Sequence, residues 1–439
     1  MRNLALAAAL AAMGSTPALA DPAQIEAAVA TDYDSHLEDL FVHFHRNPEL
    51  SFLETETAKR MAAELRNAGL EVTENVGGTG VVGMLKNGDG PLIMLRADMD
   101  GLPVKERSGL DYASTATQVA PDGETYPVMH ACGHDVHITS MVGTARRLVA
   151  MKDDWSGTLM FVVQPAEERV GGAKAMLEDG LYDRFGQPDY ALAFHVASIL
   201  PTGKVSAAEG IQYSSADSVD IMVPGVGAHG ASPHMGRDPV YIASQIVTAL
   251  QSIVSREIEP LSPAVITVGA FQAGTKHNII SERADLQLTV RANDEETRAQ
   301  LLAAIERVAV GIGKAHGLPD ELPVKVTVSE GTPVTYNDPA LARRLNGVMR
   351  TTFGEEGFEP FEQRGMGAED FSYFVAEDLG VPGYYFAVGG TPPEAFEAEA
   401  NGGPAVPSHH SPLFKIAPRE SVTLGTRAMV AAVLDLAGS

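Results

Sequence analysis

Apolar positions recur along this chain with two periods, and the change from one to the other marks its elements. From Tyr33 to Arg46, Leu37, Leu40, Phe41 and Phe44 return every three or four residues. That spacing predicts a helix, with Asp32 as its N-cap and Pro48 as its stop. A second helix is predicted over about Thr55–Ala68, with Met61 and Leu65 inward and Gly69 at its C-terminal end. Strands follow near Leu70–Val76 and Val81–Leu85. Three wholly apolar runs then end in polar residues. Leu92–Leu95 leads to Arg96-Ala97-Asp98, Leu159–Val163 leads to Gln164-Pro165-Ala166-Glu167-Glu168, and Tyr190–Phe194 leads to His195. Helices are predicted between them, at about Ile138–Met151 and Ala173–Asp179. Doubly apolar strands alternating with helices imply a sheet covered on both faces.

Near Gly210 the texture changes. Ser218–Val223 alternates as a strand and leads to a glycine-rich turn, Gly225–Ala231. Helices at about Pro239–Arg256 and Glu295–Ala315 carry the stripes Ile242/Ile246/Ala249/Ile253 and Leu301/Ile305/Val308/Ile312. Strands are predicted at Ala264–Phe271, Ala284–Ala292 and Val324–Ser329. This order describes a split-βαβ, ferredoxin-like α+β unit over 213–328, inserted in an α/β domain made of 21–212 and 329–439. The α/β domain resumes with a helix at Asp338–Phe353, a tight turn at Gly365–Asp370 and a strand at Gly383–Val388. A loop over Gly389–Pro407 and a final helix at about Arg419–Leu436 complete it.

The 439 residues, 45% of them hydrophobic, suffice for two cores, and the net charge of -25 is spread without a basic patch. Nucleic acid and anionic membrane surfaces are excluded as partners on that ground. Residues 1–20 read as a secretory signal peptide: Arg2, the apolar run Leu4–Met13, and Ala18-Leu19-Ala20 before Asp21. An exported, periplasmic or secreted protein is expected. Cys132, the single cysteine, would then be a free thiol in an oxidising compartment, a liability unless buried or metal-bound.

Cys132 lies in Met129-His130-Ala131-Cys132-Gly133-His134-Asp135-Val136-His137, which gathers three histidines, an acid and the thiol in nine residues. Cys132 and His134, at i and i+2, would point the same way in an extended or turning backbone. Thiolate and imidazole suit a borderline divalent metal. Alone, such a pair is ordinarily a small buried cysteine beside surface histidines. The polar residues at the strands' carboxyl ends alter the balance, because ligands bind there in such sheets. Asp98, Glu167, Glu168 and His195 all stand at such ends, and either His409 or His410 joins them as a candidate.

Four ordered motifs then carry a resemblance over essentially the whole chain after residue 20: Leu95–Pro103, His130–Asp135, Gln164–Glu168 and Gly367–Phe371. They resemble the metal-dependent amidohydrolases that include hippurate hydrolases, N-acyl-amino-acid hydrolases and plant auxin-conjugate hydrolases. These belong to a wider group with aminoacylases and dinuclear-metal carboxypeptidases. The resemblance implies two divalent ions (manganese, zinc, cobalt or nickel) held by Cys132, His134, Glu168, His195 and His410. It makes Glu167 the general base and places Asp98 behind the ligands. Two ions sharing a water would lower its pKa, and Glu167 would carry its proton to the leaving amine. The inserted domain would act as lid and homodimer contact, with His229 reaching the partner's site to stabilise an oxyanion. Asn278 and Arg291 would meet a substrate carboxylate, which suits the planar guanidinium fork. Arg96 stands where the wider group has a histidine, Cys132 or its neighbour where it has an aspartate, and Ala228 where a glycine usually precedes the lid histidine. The first two changes are shared with the hippurate-type branch. His130 and His137 are read as supporting residues.

The expected activity is cleavage of the amide bond of a small N-acyl or N-aroyl amino acid. A dipeptidase or aminopeptidase would need a carboxylate for a free amino group. A periplasmic solute- or metal-binding protein would have no use for Glu167.

Overall fold

The computed structural model describes residues 21–438; the expected signal peptide, residues 1–20, lies outside them. A seven-stranded mixed sheet forms the larger layer. Its order is Glu71–Val76, Gly80–Asn87, Gly157–Gln164, Leu92–Asp98, Tyr190–Pro201, Gly383–Thr391 and Val205–Ser206. The four central strands from Gly157–Gln164 to Gly383–Thr391 run parallel to one another. Their inward residues on both faces are buried, which is why the runs read as continuously apolar. One face packs on His134–Ala150, Pro418–Ala437 and the N-terminal helices, in a core that includes Phe41, Phe161 and Val433. The other face packs on Gly172–Glu178 and Asp370–Val375, around Met160, Met176 and Phe374.

A second, four-stranded antiparallel sheet has the order Ala264–Ala273, Arg283–Ala292, Ala216–Pro224 and Lys325–Thr332. Helices Pro239–Arg256 and Glu295–Ala315 cover one of its faces, and the core between them, built on Val219, Ile246, Leu288 and Ile305, is its own. Asp238 and Asp294 cap these helices through their carboxylates, which accept from Val240 and Thr297 amides. A ribbon of Ala228–His229 with Ile279–Ile280 projects beside it. Among the described residues, no helix is long and apolar enough to cross a membrane.

Three expectations need correction. Asp32 caps nothing: the helix runs back through a π turn, Tyr33–Leu37, to Pro22, where Asp21 accepts from the Ala23 amide. The Asp32 carboxylate instead pairs with Arg146 and Arg147, at 3.1 and 2.5 Å. The strand expected to end at Phe194 continues to Pro201, so His195 sits inside it, opposite Ala387. The expected loop after Gly389 contains a helix, Pro393–Ala400, whose prolines lie before and at its first residue, where a missing N–H costs no helical bond.

Candidate metal centre

The helix that follows Cys132 begins at His134 because Gly133 adopts φ +88°, and a Cβ there would lie 2.4 Å from Val196. This sharp entry points the sulfur and the imidazole at the same place. The His134 Nδ1 lies 2.9 Å from the Asp100 carbonyl, which can only accept, so the proton is on Nδ1 and Nε2 faces the site. His195 repeats the device, its Nδ1 donating to the Val196 carbonyl at 2.7 Å and its Nε2 3.4 Å from Cys132 Sγ. Such carbonyl contacts fix the ring tautomer a metal ligand needs.

Two triads form around the sulfur. Cys132, His134 and His195 make one, and Cys132, Glu168 and His410 the other, each with its ligating atoms within 4.8 Å of one another. His410 Nε2 lies 3.4 Å from Glu168, and His134 Nε2 lies 4.0 Å from the other Glu168 oxygen. The adjacent His409 accepts from the Ser198 amide at Nε2, at 3.1 Å, and its Nδ1 lies 3.8 Å from Cys132 Sγ. His134 Nε2 and Glu168 Oε1 are both buried, and among the described residues neither has a hydrogen-bond partner. Orphaned atoms converging from an imidazole and a carboxylate fit a divalent cation.

The charges agree. Burial pulls His134 down, but Asp98 and Asp100 outweigh it and hold the ring up to about 10. Burial and nearby Asp100 push Glu168 up to about 7, against the pull of His134. Glu167 is raised well above the carboxylate range by burial, then by Glu369 and Glu168. The Cys132 thiol is pushed up by burial and by both glutamates. Burial and mutual repulsion thus favour protons on these groups, and a divalent cation would take the place of those protons.

Asp98 lies behind these candidate ligands, accepting from His137 Nδ1 at 2.5 Å and standing 3.8 Å from His134 Nε2. His137 Nε2 is occupied by the Val196 amide, so His137 supports. His130 is buried and makes no ring hydrogen bond among the described residues. Sequence reasoning did not find the buried frame beneath. Arg96 joins Asp98 and Glu369, each at 2.6 Å, with Asp370 at 3.2 Å and Gln164 at 2.8 Å.

The turn that carries Glu167 and Glu168 is strained. Ala166 and Val170 are left-handed, at φ +49° and +45°, on either side of Glu167–Arg169. For a β-branched residue this is an outlier worth about 1–3 kcal/mol.

Above the cluster lies a cavity of about 500 Å³. Tyr213, Met366 and Arg291 line it, together with Cys132, Glu167, Glu168, His195, His409 and His410. Arg291 comes from a strand of the small sheet, His195 from a strand of the large one, and Cys132, His134, Glu168 and His410 from the turns and helix start beside it. His229 and Asn278 stand elsewhere, exposed on the ribbon, where the Gly230 amide meets the Asn278 carbonyl at 2.9 Å. They do not line this cavity.

The profile of peptidase family M20/M25/M40 matches residues 94–401. The chain belongs to that family. An M20/M25/M40 relative, the hippurate hydrolase of Campylobacter jejuni, is 40% identical over 344 residues, 78% of this chain and 86% of its own. Thermostable carboxypeptidase 2 of Saccharolobus solfataricus is 37% identical over 349 residues, 79% of this chain and 83% of its own. Among solved structures, the YXEP protein of Bacillus subtilis, a dinuclear metal binding peptidase from the M20 family, superposes with TM-score 0.72 at 28% identity. That match covers 92% of this chain and 99% of the other. This member of the M20/M25/M40 family is a metal-dependent amidohydrolase that uses divalent metal.

Proposed function

We propose that the chain hydrolyses the amide bond of N-acyl or N-aroyl amino acids, releasing a carboxylic acid and an amino acid. The observation that carries this reading is which charges in the cavity are already paired. Asp217 is held by two Arg298 nitrogens, each at 2.8 Å. Glu330 is held by Arg169 at 3.3 Å, and Glu369 by Arg96. Apart from Glu167 and Glu168, the lining carboxylates are thus engaged, leaving none to receive the ammonium of a free dipeptide. Arg291, by contrast, has no acidic partner within salt-bridge distance among the described residues and donates only to Thr289 Oγ1, at 3.2 Å. A blocked amino group with a free carboxylate fits both facts.

Cys132, His134, Glu168, His195 and His410 would hold two divalent ions. When bound, these would supply Lewis acidity and a more acidic water. Manganese, zinc, cobalt and nickel all suit a set that mixes thiolate, imidazole and carboxylate. Glu167, with its raised proton affinity, takes a proton from the attacking water and gives it to the amine nitrogen as the C–N bond breaks. Arg291 orients the substrate by its carboxylate. Asp98 fixes His137 and the charge behind His134.

His229 would stabilise the oxyanion of a second copy, with Asn278 beside it at the substrate carboxylate, in a homodimer formed through the small sheet over 213–328. Support for this is that both are exposed and side by side, away from their own chain's cavity. The pattern of residues 1–20 supports export, to the periplasm or out of the cell.

The test is amino-acid release by chelated protein, with and without added divalent metal, from N-acyl, N-aroyl and free-amino dipeptide substrates. Metal-dependent release from blocked substrates is expected. Faster release from free dipeptides would replace this reading with a dipeptidase or aminopeptidase. Tight metal binding with no release, unchanged by Glu167→Gln, would make the chain a binding protein.

A further inference from the structure

Glu54 is fully buried, more than a hundred residues from the catalytic turn in sequence, and the metal centre does not use it. Its Oε1 accepts from the Ala166 amide at 2.8 Å and from the Phe52 amide at 2.9 Å; its Oε2 accepts from Thr79 Oγ1 at 2.6 Å. The next two amides of the turn, Glu167 and Glu168, go to the two oxygens of Asp100, each at 3.1 Å. Asp100 is itself held by Ser51 Oγ at 2.6 Å. Three successive N–H groups are therefore gripped by two buried carboxylates, and both grips trace to the loop Ser51–Glu54. The Phe52 ring of that loop covers Gly171, where an added Cβ would lie 3.6 Å from it.

The amide that Glu54 takes belongs to Ala166, the left-handed residue at φ +49°. A non-glycine residue leaves that conformation unless something holds it. Rotation about Ala166 would swing the Glu167 carboxyl away from His134 Nε2, 3.9 Å from it at present. Asp100 holds the Glu167 and Glu168 amides but not that of Ala166, so the left-handed entry into the turn, one residue before Glu167, depends on Glu54.

We infer that Glu54 is a positioning residue that holds Ala166 left-handed and thereby aims Glu167, a role that rests on Glu167 being the proton carrier. The step belongs to kcat. Substrate binding through Arg291 and metal binding through Glu168 do not require it.

The experiment compares Glu54→Ala, Ala166→Gly, the double variant and Glu167→Gln in the metal-loaded protein, reading kcat, KM and metal content. Glycine adopts φ +49° without a Cβ penalty, so it removes the need for a clamp. Glu54→Ala should lower kcat about tenfold, the population cost of one left-handed residue, with KM and metal content nearly kept. Adding Ala166→Gly should recover most of that loss relative to Ala166→Gly alone. A merely structural role predicts no recovery, since a further glycine only loosens the chain. A double variant as slow as Glu54→Ala, or loss of metal in step with kcat, overturns the inference. Should Glu54→Ala not fold, Glu54→Met, which keeps the length but offers the Ala166 amide no oxygen, carries the same comparison, and an unchanged kcat there overturns the inference too. Glu167→Gln keeps the two readings apart: full turnover in that variant removes the proton carrier itself, whatever Glu54 does.

Discussion

His45 shows how far a single side chain can be moved by its partners. Burial alone would pull its pKa down. Hydrogen bonds from Nδ1 to Asp135 at 2.7 Å and from Nε2 to Glu106 at 3.1 Å outweigh burial and push it up to about 9. Its folded pKa therefore lies above the unfolded value of about 6.5. The protonated ring contributes fully below pH about 6.5, and the contribution disappears as pH rises through about 9, for on the order of 3 kcal/mol. Denaturant unfolding of the wild type and of His45→Gln at several pH values should show this as a gap that closes between those limits. A constant gap would refute the ion pair. At this scale the candidate ligands were legible, because Cys132, His134, Glu168 and His410 sit in compact motifs. Arg96, Asp100 and Glu54 were not read as structural anchors, because their meaning lies in partners such as Glu369 and Ala166, more than a hundred residues away or held only by backbone amides. No local pattern encodes such pairings.

Among the elements, the turn from Gln164 to Gly172 is the tightest. Gly172 opens the helix Gly172–Glu178 so close to Pro165 that an added Cβ would lie 1.6 Å from its carbonyl oxygen. Gly172→Ala must therefore displace backbone. It is expected to cost more than ~2 kcal/mol in urea unfolding and to lower turnover as well, since Glu167 and Glu168 lie in the displaced segment. Unchanged stability would show that the turn has room. The long helices Pro239–Arg256 and Glu295–Ala315 could be read almost to the residue, because a clear apolar stripe coincides with an aspartate cap. Asp32 misled for the same reason: a good capping residue before an apolar stripe looks like a start, and the weakly amphipathic segment Pro22–Asp32 gives no contrary signal. Pro393–Ala400 has no buried residue, so nothing in its pattern distinguishes it from loop.

For the whole molecule, the balance of charge at the centre couples stability to metal. Glu167, Glu168 and Asp98 face one another within a buried region, and Arg96 below them also serves Glu369 and Asp370. A bound divalent ion should stabilise the fold by about 4 kcal/mol at a thousandfold excess over its Kd. Chelation is expected to lower Tm by several degrees and re-addition of metal to restore it, which calorimetry measures directly. An identical Tm in both states would mean that no ion is bound at the cluster. The division into two sheets was legible from the switch in texture near Gly210. The cavity between them was not, because facing two sheets is a matter of distance in space.

Arg291 rises from the small sheet into the cavity that Cys132, Glu168, His195 and His410 line from the other domain segments. On the proposed reading, breaking a bond and choosing which molecule to break are written in separate stretches of chain. If Arg291 is the handle, the strand Arg283–Ala292 can change under selection for a new diet while the cluster of Cys132, Glu168, His195 and His410 stays as it is. An ancestral hydrolase built this way can diversify its clientele cheaply, keeping one chemistry and rewriting only the handle by which its substrate is grasped.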